Sequence, residues 1–169
     1  LRPYRNSDIK EQFKAIRASL KEIGPWLPFA HPDYSIEETQ KWIKASPANW
    51  KAGTQYNFCI LDAKDGSIIG GCGISDIGEG RSRCNLGYWV RSDRTGQGIA
   101  VAATKLLAKW GFEVLELKRI EIVVAVENAR SLRVAEKAGA KREGVLRNRL
   151  NIRNIVHDAV MHSLVPGEV

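Results

Sequence analysis

The sequence is poor in cysteine, in methionine and in long apolar runs. Its three cysteines, Cys59, Cys72 and Cys84, form no CxxC pair and are odd in number, which favours a reducing cytoplasm over a disulfide framework. No apolar run approaches the roughly 18 residues of a membrane span, and residues 1–4 lack the apolar core of a signal peptide. His and Cys do not cluster at the spacing of a zinc site. We therefore expect a cytoplasmic protein without a metal or a membrane span.

Positive charge is in excess and is concentrated late in the chain. Lys and Arg number 26 against 19 Asp and Glu, for a net charge of +7. Residues 130–153 contain eight basic and two acidic residues, so a surplus of six charges lies in this segment. The surplus indicates an anionic partner, which could be nucleic acid, a phosphorylated cofactor or an acidic surface. A solvated basic face explains the charge pattern equally well.

Length and hydrophobic periodicity predict one domain over residues 1–169, built from alternating strands and helices. Helices are expected over 8–22, 35–45, from 99 onward and over 128–138. Ser35 and Glu38 have the spacing of a capping box at the start of the second helix. Trp42 and Ile43 should point inward, and Leu106, Leu107, Trp110 and Val114 should share one face of the third helix. Strands are expected over 56–61, 67–77, 85–90, 120–126, 140–149 and 155–164. This order predicts an α/β fold with a mixed sheet.

Residues 90–100 are the most informative segment, because they join a β-rich run to an amphipathic helix. Gly96 and Gly98 permit positive φ and close approach of a ligand. The free N–H groups and the positive dipole end of the following helix point to the same place. The segment therefore predicts an anion site made of backbone donors. A diphosphate fits it better than a carboxylate, because several donors converge.

Two familiar phosphate motifs do not account for this turn. A Walker loop requires Gly-Lys-Ser/Thr, which is absent, and a dinucleotide fingerprint requires Gly or Ala where Val101 stands. A plain tight turn would explain two glycines by themselves. Their position after Gly87-Tyr88-Trp89-Val90 favours a binding turn.

The chain resembles the GNAT N-acetyltransferases over nearly its whole length. Thr95-Gly96-Gln97-Gly98-Ile99-Ala100 is similar to the family's acetyl-CoA signature Q/R-x-x-G-x-G/A. Residues 128–131 and 135–144 are similar to its N-x-x-S…A-x-x-x-G-F…E-G segment. Within this family, the chain resembles the RimJ/RimL branch, which acetylates ribosomal-protein N-termini. The resemblance lies at residues 26–29, 35–39 and His157-Asp158. Thr95 and Ala140 depart from the usual Gln/Arg and Phe, and neither change removes a backbone donor.

The resemblance implies a single-domain fold with a mixed, mostly antiparallel sheet of about seven strands, splayed at the cofactor site and covered by helices on both faces. It implies acetyl-CoA as co-substrate, with backbone groups of strand and turn holding the pantetheine arm and the diphosphate. The basic residues of 130–153 could meet the 3′-phosphate. The implied cofactor-binding residues are Val90, Arg91, Thr95, Gly96, Gln97, Gly98, Ile99, Ala100 and Asn128.

Catalysis by this family requires direct attack of an amine on the thioester. The Val90 N–H would face the thioester oxygen, where negative charge develops. Ser131 matches the family serine near the cofactor sulfur and is the expected proton donor or hydrogen-bond partner, unless it only bonds backbone in the first helical turn. Asp76 is the acid–base candidate, although a turn cap before Gly78 explains it too. His31, His157 and His162 are further possible bases, or structural residues.

The acceptor is predicted to be a protein N-terminal α-amine of the ribosomal-protein type. Its pKa, near 7.7–8.0, is well below the roughly 10.4 of lysine, so a modest base is sufficient, and no carboxylate is strongly placed. Trp26 and Phe29 are the expected acceptor wall. A small amine (polyamine, amino acid or antibiotic) and a non-catalytic basic RNA- or ribosome-binding module remain alternatives. Ribosome proximity and a homodimer are suggested by the family.

Overall fold

The computed structural model describes residues 1–168. The helices are α1 (Ile9–Ile23), α2 (Ile36–Ala52), α3 (Ile99–Glu113) and α4 (Ala129–Lys137). The strands are β1 (Arg2–Pro3), β2 (Tyr56–Leu61), β3 (Ile68–Ser75), β4 (Cys84–Val90), β5 (Ile120–Ala125), β6 (Lys141–Ile152) and β7 (Ile155–Leu164). Within these residues no helix is both long and apolar enough to cross a bilayer.

The strands form one seven-stranded sheet in the order β1-β2-β3-β4-β5-β7-β6. Every neighbouring pair is antiparallel except β4 and β5, which run parallel. The predicted mixed, mostly antiparallel sheet of about seven strands is therefore confirmed. Both final strands form, and β6 extends to Ile152 rather than ending near residue 149.

The sheet opens between β4 and β5. These strands pair only where Cys84 lies opposite Ile120 and Asn85 opposite Glu121, whereas β4 pairs with β3 from Asn85 to Val90. The Arg91 N–H donates to the carbonyl of Ile69 on the β3 side at 2.9 Å. Because successive strand residues direct their backbone groups to opposite sides, Val90 directs its N–H and C=O toward β5. The carboxyl-terminal half of β4 therefore presents backbone groups to a widening gap.

Helices cover both faces of the sheet, as predicted. On one face, Leu107 of α3 packs in the main core with Leu86 of β4. On the other face, Ile16 of α1 packs with Trp89 of β4, and Ile43 of α2 packs in a smaller cluster with residues of β2 and β3. Alternate residues of β4 thus contribute to the packing of both layers.

The three cysteines are free and buried. Burial raises the pKa values of Cys72 and Cys84 to about 12, so both remain protonated thiols near neutral pH. The cysteines therefore serve as small core residues.

Helix α2 begins as predicted and ends later than predicted. Ser35 and Glu38 form the capping box, in which the Ser35 N–H donates to the Glu38 carboxylate at 2.9 Å. The helix continues to Ala52, through Pro47, and ends at Gly53 with φ +70°. Trp42 is 37% exposed rather than inward, because the buried face of α2 carries Thr39, Ile43 and Ser46.

The inward face of α3 also differs from the prediction. Leu107 is fully buried, but Leu106 and Val114 are each 57% exposed. The buried face carries mainly small residues, which let the helix lie close to the sheet: Ala103, Thr104, Leu107, Ala108 and Gly111. A Cβ at Gly111 would lie 3.0 Å from the Leu117 side chain.

We expect Leu107→Ala to lower the free energy of unfolding by about 2–5 kcal/mol, because it leaves a cavity in the main core. Its neighbour provides a matched control: Leu106→Ala should change the free energy of unfolding by less than about 0.5 kcal/mol. Urea denaturation of the two variants measures both. Equal losses would contradict the assigned helical phase.

Candidate active site

The turn between β4 and α3 leaves backbone donors free. Gly96 and Gly98 have φ values of +79° and +76°, and Gly98 is the N-cap of α3. A Cβ at either glycine would meet no heavy atom within 4 Å. Among residues 1–168, no acceptor in the protein receives a hydrogen bond from the backbone N–H groups of 96–98. The turn is therefore open, and its N–H groups are free for an anion.

Side chains of α1 and of Asp62, the residue after β2, fix the approach to this turn. The Ser92 N–H donates to Ser19 Oγ at 3.2 Å, and Ser92 Oγ donates to the Glu22 carboxylate at 2.6 Å. Arg94 pairs with Asp62 at 3.0 Å. These contacts anchor the segment that precedes the glycines, so the orientation of the free donors is set before a ligand binds.

A groove of about 690 Å³ follows the gap between β4 and β5. Most of the predicted cofactor residues line it, together with Ser131 and Trp26: Val90, Thr95, Gly96, Gly98, Ile99, Ala100 and Asn128. Arg91 and Gln97 do not. Gln97 is exposed, and both backbone groups of Arg91 are engaged, since its N–H donates to Ile69 and its C=O accepts from Arg94. Backbone contacts with a ligand at this strand end therefore fall to Val90.

Helix α4 gives the groove a positive wall. Arg130, Arg133 and Lys137 line it and lie at spacings of three and four, hence on one helical face. Asn128 begins the helix by accepting a hydrogen bond from the Ser131 N–H at 3.2 Å. Part of the basic surplus seen in the sequence thus faces the groove rather than open solvent.

Ser131 is paired with Tyr88 across the gap. Their hydroxyl oxygens are 2.9 Å apart, and the Tyr88 hydroxyl also lies 3.1 Å from the Ser131 carbonyl. Burial raises the pKa of Tyr88 to about 12, so the phenol stays protonated near neutral pH. Sequence reasoning missed Tyr88. The available signal was strand alternation, which puts Tyr88 on the same face of β4 as Leu86 and Val90.

A second cavity of about 620 Å³ lies against the other face of β4 and extends to β3 and α2. Its floor includes three glycines without side chains, Gly71, Gly73 and Gly87. Gln12 Oε1 and Asn57 Nδ2, both on buried side chains that line this cavity, have no hydrogen-bond partner in the described chain. Buried unpaired polar atoms cost about 1–3 kcal/mol each, so a neutral hydrogen-bonding ligand would suit this cavity.

The second cavity is close to neutral. Its charged lining residues are Glu38 and Lys41. Glu38 is already engaged by His31 at 2.8 Å and by the Ser35 N–H at 2.9 Å, and the His31 hydrogen bond lowers its pKa. Phe29 lines this cavity, whereas Trp26 lines the groove. The predicted acceptor wall is thus divided between the two spaces.

The remaining predicted acid–base residues lie elsewhere. Asp76 is exposed, lines neither cavity, and accepts a hydrogen bond from Ser75 Oγ at 3.1 Å. His157 pairs with Glu127 at 3.5 Å, and His162 is fully buried. The structure therefore brings Ser131, but not Asp76, to the groove. Within residues 1–168, no three His, Cys, Asp or Glu side chains are grouped as a metal site would require.

Arg153 anchors the loop between α1 and α2 from the far end of the chain. It lies in the tight β6–β7 turn, and its guanidinium donates to the carbonyls of Gly24 at 2.6 Å and Leu27 at 3.2 Å. These carbonyls follow the end of α1, where a cation is favoured. The loop that carries Trp26 and Phe29 is thereby tied to the edge of the sheet.

The family model for the acetyltransferase (GNAT) domain matches residues 1–141. The chain belongs to the GNAT acetyltransferase family. YdaF of Bacillus subtilis (strain 168), whose name proposes a ribosomal N-acetyltransferase, is 30% identical over 168 residues, which cover 95% of this chain and 87% of the relative. The ribosomal-protein-serine acetyltransferase of Escherichia coli (strain K12) is 26% identical over 146 residues, or 86% of this chain and 79% of the relative.

A solved structure has the same fold over the whole chain. Mycobacterium smegmatis RimJ, in complex with CoA-disulfide, superposes with a TM-score of 0.89 at 29% identity, covering 99% of this chain and 82% of that one. These similarities confirm the predicted RimJ/RimL-like branch and the GNAT-like fold. As a GNAT family member the chain is an acyltransferase, so the non-catalytic RNA-binding alternative is not retained.

We expect Arg153→Ala to loosen the acceptor-side loop, because three backbone carbonyls, Gly24, Leu27 and Ala30, lose their guanidinium contact. Amide hydrogen exchange in residues 24–34 should accelerate, and stability should fall by about 1 kcal/mol. Arg149→Ala is the control, because Arg149 is exposed and makes no hydrogen bond or ion pair within the described residues. Unchanged exchange in residues 24–34 would show that Arg153 does not hold the loop.

Proposed function

We propose that this GNAT enzyme transfers the acetyl group of acetyl-CoA to the α-amine of a protein N-terminus, with a ribosomal protein as the acceptor class. The observation that carries the proposal is the groove between β4 and β5, which begins at the free N–H groups of residues 96–98. A second, nearly neutral cavity lies across β4 from it. The two spaces suit a phosphorylated donor and an uncharged acceptor amine.

The groove fits acetyl-CoA along its length. The backbone donors of residues 96–100 suit the diphosphate, because converging N–H groups and the start of α3 favour negative charge. Val90, which directs its backbone toward the gap, suits the amide-rich pantetheine arm. Asn128 keeps its amide nitrogen for the cofactor while its oxygen caps α4. Arg130, Arg133 and Lys137 form the wall that suits the 3′-phosphate.

The chemistry assigned to the chain is positioning and charge stabilisation. The Val90 N–H stabilises the oxygen that gains negative charge when the amine attacks the thioester. Ser131, in the groove, hydrogen-bonds the sulfur that leaves. The general base is a solvent-connected group or water, because an α-amine is partly neutral near its pKa of about 7.7–8.0. The acid–base role of Asp76 stays a prediction, and its position outside both cavities does not support that role.

The acceptor cavity favours a peptide over a polycation. A polyamine carries several positive charges and favours a pocket lined with carboxylates, whereas Glu38 is the carboxylate among the described lining residues and is held by His31. A backbone amide or a hydroxyl satisfies Gln12 and Asn57. The names of the two relatives support the same acceptor class. Phe29 is the proposed acceptor contact in this cavity, and Trp26 contributes from the groove side.

We further propose that residues 1–169 form one N-acetyltransferase domain, whose last residue, Val169, lies outside the described residues. A cytoplasmic location near the ribosome and a homodimer are part of the same proposal. They follow from the acceptor class and the family.

We expect Gly98→Glu to abolish acetyl-CoA binding while the fold persists, because a side chain and a carboxylate would occupy the donor turn. Gly66→Glu is a matched control: Gly66 also has positive φ (+74°), has open space around it, and lies in the β2–β3 turn. Both substitutions carry a similar backbone strain of about 1–2 kcal/mol. In a thermal-shift titration, acetyl-CoA should stabilise Gly66→Glu but not Gly98→Glu. Equal stabilisation of both would reject the cofactor assignment.

We expect peptides with a free N-terminal Ser, Ala or Met to drive release of free thiol from acetyl-CoA, measured with a thiol reagent. The same peptides with a blocked N-terminus should give no release, because a peptide bond replaces the α-amine. Polyamines and aminoglycosides should be poor acceptors, since the described residues that line the cavity include one carboxylate, Glu38. Efficient turnover of polyamines, together with inactivity of every peptide, would contradict a protein N-terminus as the acceptor and would indicate a polyamine instead.

A further inference from the structure

Tyr88 is the side chain that bridges the opened sheet. Strand alternation directs it from β4 toward α4, and it lines both the groove and the acceptor cavity. Both side-chain hydrogen bonds that join β4 to α4 within residues 1–168 involve its hydroxyl. Its partner in both is Ser131, which the proposed function places at the leaving sulfur. Tyr88 is therefore the group that decides how the Ser131 hydroxyl is oriented.

The directions of these two hydrogen bonds follow from proton counting. A carbonyl oxygen only accepts, so the contact between Tyr88 and the Ser131 carbonyl uses the single phenol proton. The Ser131 hydroxyl must then donate to the Tyr88 oxygen, so its proton is engaged by Tyr88. If the Tyr88 hydroxyl instead donates to Ser131 Oγ, the Ser131 hydroxyl no longer donates to Tyr88. It keeps its proton and can point that proton toward the sulfur. The pair thus has two hydrogen-bonded arrangements that differ only in hydroxyl rotation.

We propose that Tyr88 is a positioning residue for Ser131, and that reversal of their hydrogen bond turns the Ser131 proton toward the leaving sulfur. The inference rests on the proposed acetyl transfer. A hydrogen bond received from Tyr88 also makes the Ser131 hydroxyl a stronger donor, because linked hydroxyls polarise one another. Tyr88 acts entirely through Ser131.

The reaction balances without a proton leaving either hydroxyl. The C–N bond forms, the C–S bond breaks, and its electron pair moves to sulfur. The amine loses one proton to solvent, and the thiolate takes one proton from solvent. The pKa of Tyr88, about 12, lies well above the roughly 8.5 of a thiol. The pair therefore stabilises the thiolate by hydrogen bonding rather than by protonating it.

A double-mutant cycle tests this assignment, with thiol release from saturating acetyl-CoA as the readout. Tyr88→Phe removes one oxygen and should lower kcat about tenfold, the size of one well-placed hydrogen bond, with the KM for acetyl-CoA nearly unchanged. Ser131→Ala should lower kcat at least as much. The double variant should be no slower than Ser131→Ala, because residues that act through one another are not additive. Tyr56→Phe, which makes the same change outside both cavities, should have wild-type kcat.

The possible outcomes separate the inference from the proposed function. If the wild-type chain releases no thiol with any acceptor, the acetyl transfer itself fails. If the wild type is active but Tyr88→Phe keeps full kcat, or if the two losses multiply in the double variant, Tyr88 does not act through Ser131. A thermal shift with acetyl-CoA, equal in Tyr88→Phe and wild type, verifies that the variant folds and binds. A loss of that shift would mean that Tyr88 supports the groove instead, which also overturns the assignment.

Discussion

The interrupted pairing between β4 and β5 is the constraint on which the site depends. Buried backbone N–H and C=O groups without partners are costly, and strands normally avoid this by pairing throughout. Here the two strands share only two residue pairs and then diverge, so the unpaired groups line an open groove. The groove is lined by the turn of free donors before α3 and by the basic helix α4. The divergence also leaves the width that Tyr88 spans to reach Ser131.

Local patterns in the sequence predicted most elements but not all of their faces. Ser35 and Glu38 indicated the start of α2, and the structure has that capping box. The predicted face of α3 was right for Leu107, which lies in the main core, and for Trp110, which packs against it. It was wrong for Leu106 and Val114, because small residues occupy the rest of the interface. A hydrophobic pattern gives Ala, Thr and Gly little weight when the buried face of a helix is predicted. These small residues nevertheless permit the closest approach of helix and sheet. The splayed strands came from the family resemblance, since nothing within residues 84–90 signals the loss of a neighbour.

The parts of the site built from backbone were the most predictable. The two glycines at positions 96 and 98 predict a turn from residue type alone, because few other residues adopt positive φ readily. Side-chain partnerships were not predictable, because they join distant segments: Tyr88 with Ser131, and Arg153 with the carbonyl of Gly24. The acceptor cavity likewise draws on four or more elements, and only Phe29 of its lining was foreseen. Such contacts are fixed by tertiary packing, which a linear pattern does not record.

Strand β4 alone lies between the groove and the second cavity. Four of its residues line both spaces: Asn85, Gly87, Tyr88 and Trp89. Under the proposed function, donor and acceptor enter from separate sides and meet at this backbone segment. No cysteine lines the groove within the described chain, so no thiol there is available to store the acyl group between two half-reactions. In the direct transfer proposed above, both substrates are bound together before the acyl group moves, and its path is confined to the width of one β-strand.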